Sequence, residues 1–174
     1  MNVIDYIFAR IYLRRKGESI DFFCRRGSML KGISSIISPE LLKILMEMGH
    51  GDELVIGDGN FPAAAYAKRL VRLDGHGVPD ILEAVMQLFP LDQFESKRAF
   101  LMEVVPGSKG SESGDPVIWN TYQEIITKHE SDFSGFGHIE RFAFYERAKQ
   151  AYAIVATGEQ ALYANVILKK GVIS

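Results

Sequence analysis

Cysteine is almost missing from this chain. Its 174 residues include one, Cys24, which excludes an intrachain disulfide and any cysteine-based zinc site. An excess of one charge is missing too. Twenty Lys and Arg face 22 Asp and Glu for a net −2, so no global field draws the chain to nucleic acid or to an anionic membrane. No apolar run approaches the ~20 residues of a membrane span. What is present is ordinary globular composition, 47% hydrophobic and 24% charged, at a length that suits one domain. These features lead us to expect a soluble, cytoplasmic protein with one main domain.

The charge is unevenly spread. Residues 1–28 hold Arg10, Arg14, Arg15, Lys16, Arg25 and Arg26 against Asp5, Glu18 and Asp21, a net +3 that leaves −5 for the remainder. Ile4, Phe8, Ile11 and Tyr12 fall on one face of a short helix, but no uninterrupted apolar stretch followed by small residues gives a secretory signal. We expect an N-terminal extension outside the fold, from an upstream start or a cloning remnant ending in Gly27-Ser28. A domain of residues 29–174 then starts at Met29.

From Met29 onward helical and strand periods alternate, the pattern of an α/β fold with a sheet flanked by helices in a three-layer-like arrangement. Ser38-Pro39-Glu40 predicts a helix start and Gly49 its C-cap. Strands are predicted at Leu54–Ile56, Leu70–Leu73, Phe100–Val105, Tyr152–Ala156 and Asn165–Lys169. Helices are predicted from Val78 to Phe89, Val117 to Lys128 and Glu140 to Gln150. Residues 106–116 form one long polar loop. The apolar run from Tyr163 to Ile173 reads as an edge strand, which invites pairing with a second chain.

Candidate chemistry centres on Met48-Gly49-His50-Gly51-Asp52. A histidine between glycines, where a helix gives way to a strand, can face a cleft, and imidazole suits proton transfer near neutral pH. The simpler reading is a solvated turn. Asp58 follows the next strand, where open α/β sheets hold ligands, although an Asx-turn accounts for it equally well. Gly57-x-Gly59 with Pro62 fails as a dinucleotide fingerprint. Tyr163 and Asn165 share a face if their strand begins by residue 163, and a phenol beside an amide can read polyol hydroxyls. Arg141 and Tyr145 are helical neighbours. His76, also between glycines, reads as a turn residue. No ligand spacing supports a metal site built from His50, Asp52, Asp58 and His76.

Taken together, Met29-Leu30-Lys31-Gly32-Ile33, Ile37-Ser38-Pro39-Glu40-Leu41-Leu42, Met48-Gly49-His50-Gly51-Asp52, Arg141-Phe142-Ala143-Phe144-Tyr145-Glu146-Arg147-Ala148, Thr157-Gly158-Glu159, Tyr163-Ala164-Asn165 and Leu168-Lys169-Lys170-Gly171 closely resemble the D-ribose pyranase / L-fucose mutarotase family. The Phe-Tyr-Glu-Arg and Thr-Gly-Glu strings resemble its fucose mutarotase branch. The resemblance runs from Met29 to Val172. It departs in residues 1–28, which have no counterpart, and between Pro106 and His138, a segment that matches loosely and looks lengthened.

The resemblance implies an isomerase that interconverts the α and β anomers of L-fucose, with the pyranose and furanose forms of D-ribose as the family's other substrate, and without a metal or other cofactor. His50 matches the family's proton donor and Asp92 a further catalytic aspartate of its eukaryotic fucose branch. Asp58, Arg141, Tyr145, Tyr163 and Asn165 match sugar-binding positions. Tyr163, Asp58 or Asp92 is the implied proton acceptor. A ring-like homo-oligomer, often a decamer, with sites shared between subunits is implied as well. The competing class is a non-catalytic monosaccharide-binding or transport-accessory protein, which needs the hydroxyl readers but no titrating histidine.

Overall fold

The computed structural model describes residues 30–108 and 114–173. The expectations for residues 1–28, and the middle of the 106–116 loop, lie outside the described residues. Two units divide after Ser35. Of the first, residues 30–35 are a run of turns with Gly32 at φ +77°. The second carries all the elements named below.

The first helix forms for the reasons its sequence gives. In α1 (Pro39–Glu47) the Ser38 hydroxyl accepts the Leu41 N–H at 3.1 Å, proline occupies the first turn, and Leu41, Ile44 and Leu45 are buried. The end differs from expectation. Met48 is the C-cap, its N–H bonded to the Ile44 carbonyl at 3.0 Å. The left-handed glycine of the following turn is Gly51 (φ +84°), not Gly49, whose N–H goes to Asp52 Oδ2 at 2.8 Å.

Then follow β1 (Glu53–Gly57), α2 (Ala63–Tyr66), β2 (Leu70–Leu73), α3 (Val78–Met86), β3 (Ala99–Met102), α4 (Ile118–His129), β4 (Gly137–Ile139), α5 (Arg141–Gln150), β5 (Ala153–Thr157) and β6 (Val166–Lys169). The sequence reading missed α2 and β4. Four residues cannot display a helical period, and Gly137-His138-Ile139 is a strand only because it pairs in parallel with β3. Conversely, β3 ends at Met102, short of the expected Val105.

The sheet order is β2-β5-β1-β6-β3-β4. The first three strands run parallel, whereas β6 is antiparallel to both β1 and β3. The expectation of a C-terminal edge strand is therefore wrong: β6 lies inside the sheet, and β2 and β4 are the edges. Its near-continuous apolar run reflects burial on both faces. Strand alternation sends Val55, Ile154 and Ile167 toward Phe61, Phe144 and Ala148 of the α2/α5 side. Leu54 and Ile56, both fully buried, point the other way, where α3 packs on β1 and α4 on α3. Each such side chain contributes ~1.5–3 kcal/mol through burial.

The β1/β6 pair sets up everything that follows. Ile56 pairs with Val166 at one end and Glu53 with Lys169 at the other. Asp58 and Asn165 therefore lie together just beyond one end of the pair, and His50 lies beyond the other, next to Gly51, whose N–H bonds the Lys170 carbonyl at 2.8 Å.

Candidate active site

At the Asp58 end lies a cavity of about 380 Å³, lined by Asp58, Arg141, Tyr145, Tyr163 and Asn165 together with Asn60, Phe61, Met102, Ser108 and Leu162. That volume suits a small molecule. Asp58 is 5% exposed. Its N–H donates to Asn165 Oδ1 and its Oδ1 accepts the Asn60 N–H, both at 2.9 Å. Burial pushes its carboxyl above the usual range, against the pull of the Asn60, Ala164 and Phe61 N–H groups and the Asn165 side chain. A glycine is required just before it, because a Cβ at Gly57 would meet the Phe61 side chain at 2.9 Å.

Arg141 and Tyr145 reach the cavity from one face of α5, as their spacing predicts. Glu140 caps that helix, its Oε2 accepting the Phe142 and Ala143 N–H groups at 2.7 and 3.1 Å. The Tyr145 ring packs on Phe61 and Tyr66, with centroids 5.8 and 5.6 Å away. Arg141 Nε is buried and has no hydrogen-bond partner among the described residues, while the residue itself lines the cavity.

Tyr163 and Asn165 meet at the cavity by a different route from the one their spacing suggests. Strand β6 begins only at Val166, and Tyr163 adopts φ +57°, so a left-handed turn brings them together. The Tyr163 hydroxyl lies 2.6 Å from Ser108 Oγ and accepts the Val105 N–H at 3.3 Å. Its carbonyl accepts from Trp119 Nε1 at 2.8 Å. Ser108 thus enters the site from a loop whose composition gives no sign of it. Met102, Leu162 and Asn60 were equally invisible, since only the tertiary fold turns them toward the cavity.

His50 lines no part of that cavity. It precedes β1, Asp58 follows it, and the strand alone carries the chain about 13 Å. The imidazole is joined instead by Asp92, whose Oδ1 lies 3.3 Å from Nε2. Asp92 is 2% exposed and fully engaged. Its N–H bonds the Lys169 carbonyl at 3.0 Å, Oδ1 also accepts the Phe94 N–H at 3.0 Å, and Oδ2 lies 3.5 Å from Lys169 Nζ. Lys169 Nζ also pairs with Glu95. Burial pushes the Asp92 carboxyl up, but the Phe94 N–H, His50 and Lys169 outweigh it and hold it below the usual range. The candidate residues therefore form two groups: His50 with Asp92, and the five around the cavity.

Other candidates have structural roles. His76 closes a turn, its N–H on the Leu73 carbonyl and its carbonyl accepting from Gly158. Glu159 Oε2 accepts the Val78 N–H that starts α3, at 3.3 Å. A Cβ at Gly158 would lie 2.1 Å from the Asp74 carbonyl oxygen, which requires glycine there. Among the described residues no three His, Cys, Asp or Glu are grouped to hold a metal ion, and no helix is long and apolar enough to cross a membrane.

Comparison with known proteins extends the picture. The model of the RbsD / FucU transport protein family matches residues 31–173. A fucose mutarotase of Bos taurus is 51% identical over 150 residues, covering 84% of this chain and 95% of that protein. The structure of a Streptococcus pneumoniae fucose mutarotase in complex with L-fucose superposes with a TM-score of 0.78 at 49% identity, covering 83% of this chain and 100% of that one. FucU from Bifidobacterium longum gives 0.77 at 53% identity, with the same coverage. The family match spans both groups of site residues, and on it the chain belongs to the RbsD / FucU family.

Proposed function

We propose that this chain is an L-fucose mutarotase, an isomerase that opens the sugar's hemiacetal ring and recloses it on the other face of the carbonyl. The reading is carried by one observation: buried Asp58, Arg141, Tyr145, Tyr163 and Asn165 converge on one cavity in a chain about half identical to fucose mutarotases.

The chemistry needs two proton carriers and no electron acceptor. A donor protonates the ring oxygen while an acceptor takes the anomeric hydroxyl proton. The bond between the anomeric carbon and the ring oxygen breaks, and the carbonyl forms. Rotation about the adjacent C–C bond and reversal of the steps give the other anomer. His50 is the donor in its doubly protonated form: Nε2–H donates to Asp92 Oδ1, and the Nδ1 proton passes to the ring oxygen. Asp58 or Tyr163 takes the second proton. Asp58, Arg141, Tyr145 and Asn165 hold the hydroxyls so that the open chain does not tumble. Positioned acid–base groups supply ~10²–10⁴-fold, enough for a reaction that already proceeds in water.

Because β1 separates His50 from the cavity of its own chain, His50 serves the cavity of a second copy. The active form is a ring-like homo-oligomer with sites completed across subunit boundaries. This split, rather than an exposed sheet edge, is the physical reason for assembly. Residues 29–174 form the catalytic domain, residues 1–28 are dispensable for it, and the enzyme works in the cytoplasm. D-ribose is a second candidate substrate.

The family's description as transport proteins keeps one rival reading, a sugar-binding accessory protein without catalysis. Saturation-transfer NMR on the α and β anomers of L-fucose separates the two. The intact protein accelerates exchange, and His50→Ala loses ~10²–10⁴-fold while still binding fucose. Wild-type protein that binds fucose without accelerating exchange establishes the rival.

A further inference from the structure

We propose that Phe94 is a sugar-contacting specificity residue, crossing the subunit boundary with His50 and offering its ring as the apolar platform for a 6-deoxyhexose. The inference rests on the shared-site reading above and names the substrate feature that the site selects.

Phe94 is 74% exposed. A lone exposed phenylalanine is ordinary, but this one is held in place. Its N–H is bonded to Asp92 Oδ1, the same oxygen that faces His50 Nε2. The phenyl and imidazole centroids are 5.4 Å apart at 58°. The next residue, Glu95, is paired with Lys169, which also lies beside Asp92. One buried carboxylate therefore meets both the His50 imidazole and the Phe94 backbone N–H, and the Phe94 ring lies beside that imidazole.

Geometry gives the consequence. A sugar oxygen taking a proton from His50 lies within about 3 Å of the imidazole. A ring whose centre is 5.4 Å from that imidazole meets the same sugar at van der Waals distance, ~4–4.5 Å, when the sugar docks on the imidazole side that Phe94 flanks. The cavity side supplies the groups that read hydroxyls: Asp58, Arg141 and Asn165. The remaining surface of a 6-deoxyhexose is its C–H face and its methyl, which carry no hydrogen-bonding group and suit an aromatic platform. A pentose lacks that methyl and loses part of the contact.

The test uses the intact oligomer, anomer exchange by NMR against sugar concentration, and light scattering for assembly. Phe94→Ala is expected to raise the apparent KM for L-fucose about tenfold, and that for D-ribose much less. Its pH profile and assembly should match wild type, Phe94→Tyr should restore the preference, and Phe94→Leu should restore it only partly. Three results overturn the inference: unchanged KM for both sugars, equal losses for both, or a loss that follows dissociation and is rescued as well by Leu as by Tyr. His50→Ala in parallel keeps the two claims apart. An inactive His50→Ala beside a wild-type-like Phe94→Ala removes only the Phe94 claim, whereas an active His50→Ala removes the reading beneath it.

Discussion

The two ends of the β1/β6 pair each bury one aspartate, and the two aspartates are driven in opposite directions. Asp58 and Asp92 are 5% and 2% exposed, so burial alone cannot set them apart. At the cavity end, burial prevails over backbone N–H groups and an amide, and the Asp58 carboxyl is raised. At the histidine end, an N–H, an imidazole and the Lys169 ammonium prevail over burial, and Asp92 is lowered. Neighbours, rather than depth, decide the chemistry of a buried carboxyl. Asp58 is suited to accept a proton during turnover. Asp92 is suited to remain an anion that steadies an imidazolium.

Substitution of each aspartate by asparagine sharpens that contrast. The larger effect on function is expected from Asp58→Asn, which removes a charged hydrogen-bond partner from the cavity. The apparent KM for L-fucose should rise about 10–100-fold, measured by NMR exchange against sugar concentration. An unchanged KM would remove Asp58 from the sugar site.

The same pair predicts stability effects of opposite sign across pH. The folded carboxyl of Asp92 is lowered, so its stabilisation is complete above the unfolded value near 4 and is lost as pH falls through the lower folded value. Asp92→Asn should therefore cost ~1–3 kcal/mol at neutral pH, a deficit that shrinks below pH ~4. The folded carboxyl of Asp58 is raised, so its ionisation weakens the fold as pH rises from near 4 through the higher folded value. Stability of Asp58→Asn relative to wild type should thus improve with pH over that window. Urea unfolding of the three proteins from pH 3 to 7 reads both trends. Parallel curves would contradict the account of the two aspartates.

The regions also differ in how far the sequence disclosed them. Local rules located the Ser38-Pro39 helix start, the core of β1 and the Arg141/Tyr145 face of α5, because a cap, an apolar run and a helical period are each written in neighbouring residues. Sheet order is not written locally. A strand near the end of a chain looks like an edge whether or not two others flank it, which is why β6 was misplaced. Tyr163 shows the same limit: the pairing with Asn165 is real, but a left-handed residue produces it rather than a strand. The His50–Asp92 contact joins residues 42 apart in sequence. Only the resemblance to a family linked them beforehand, and nothing local pointed to Phe94 or Ser108.

The separation of His50 from the cavity is the centre of the account, and mixed oligomers test it most directly. His50→Ala lacks the proposed proton donor and Asn165→Ala lacks a cavity group, so each alone is expected to be inactive. After co-refolding, some boundaries pair an intact His50 with an intact cavity from another subunit. Fucose anomer exchange should then return to part of the wild-type rate. No recovery, despite subunit exchange demonstrated by mass-tagged chains, would mean that one chain holds the whole site.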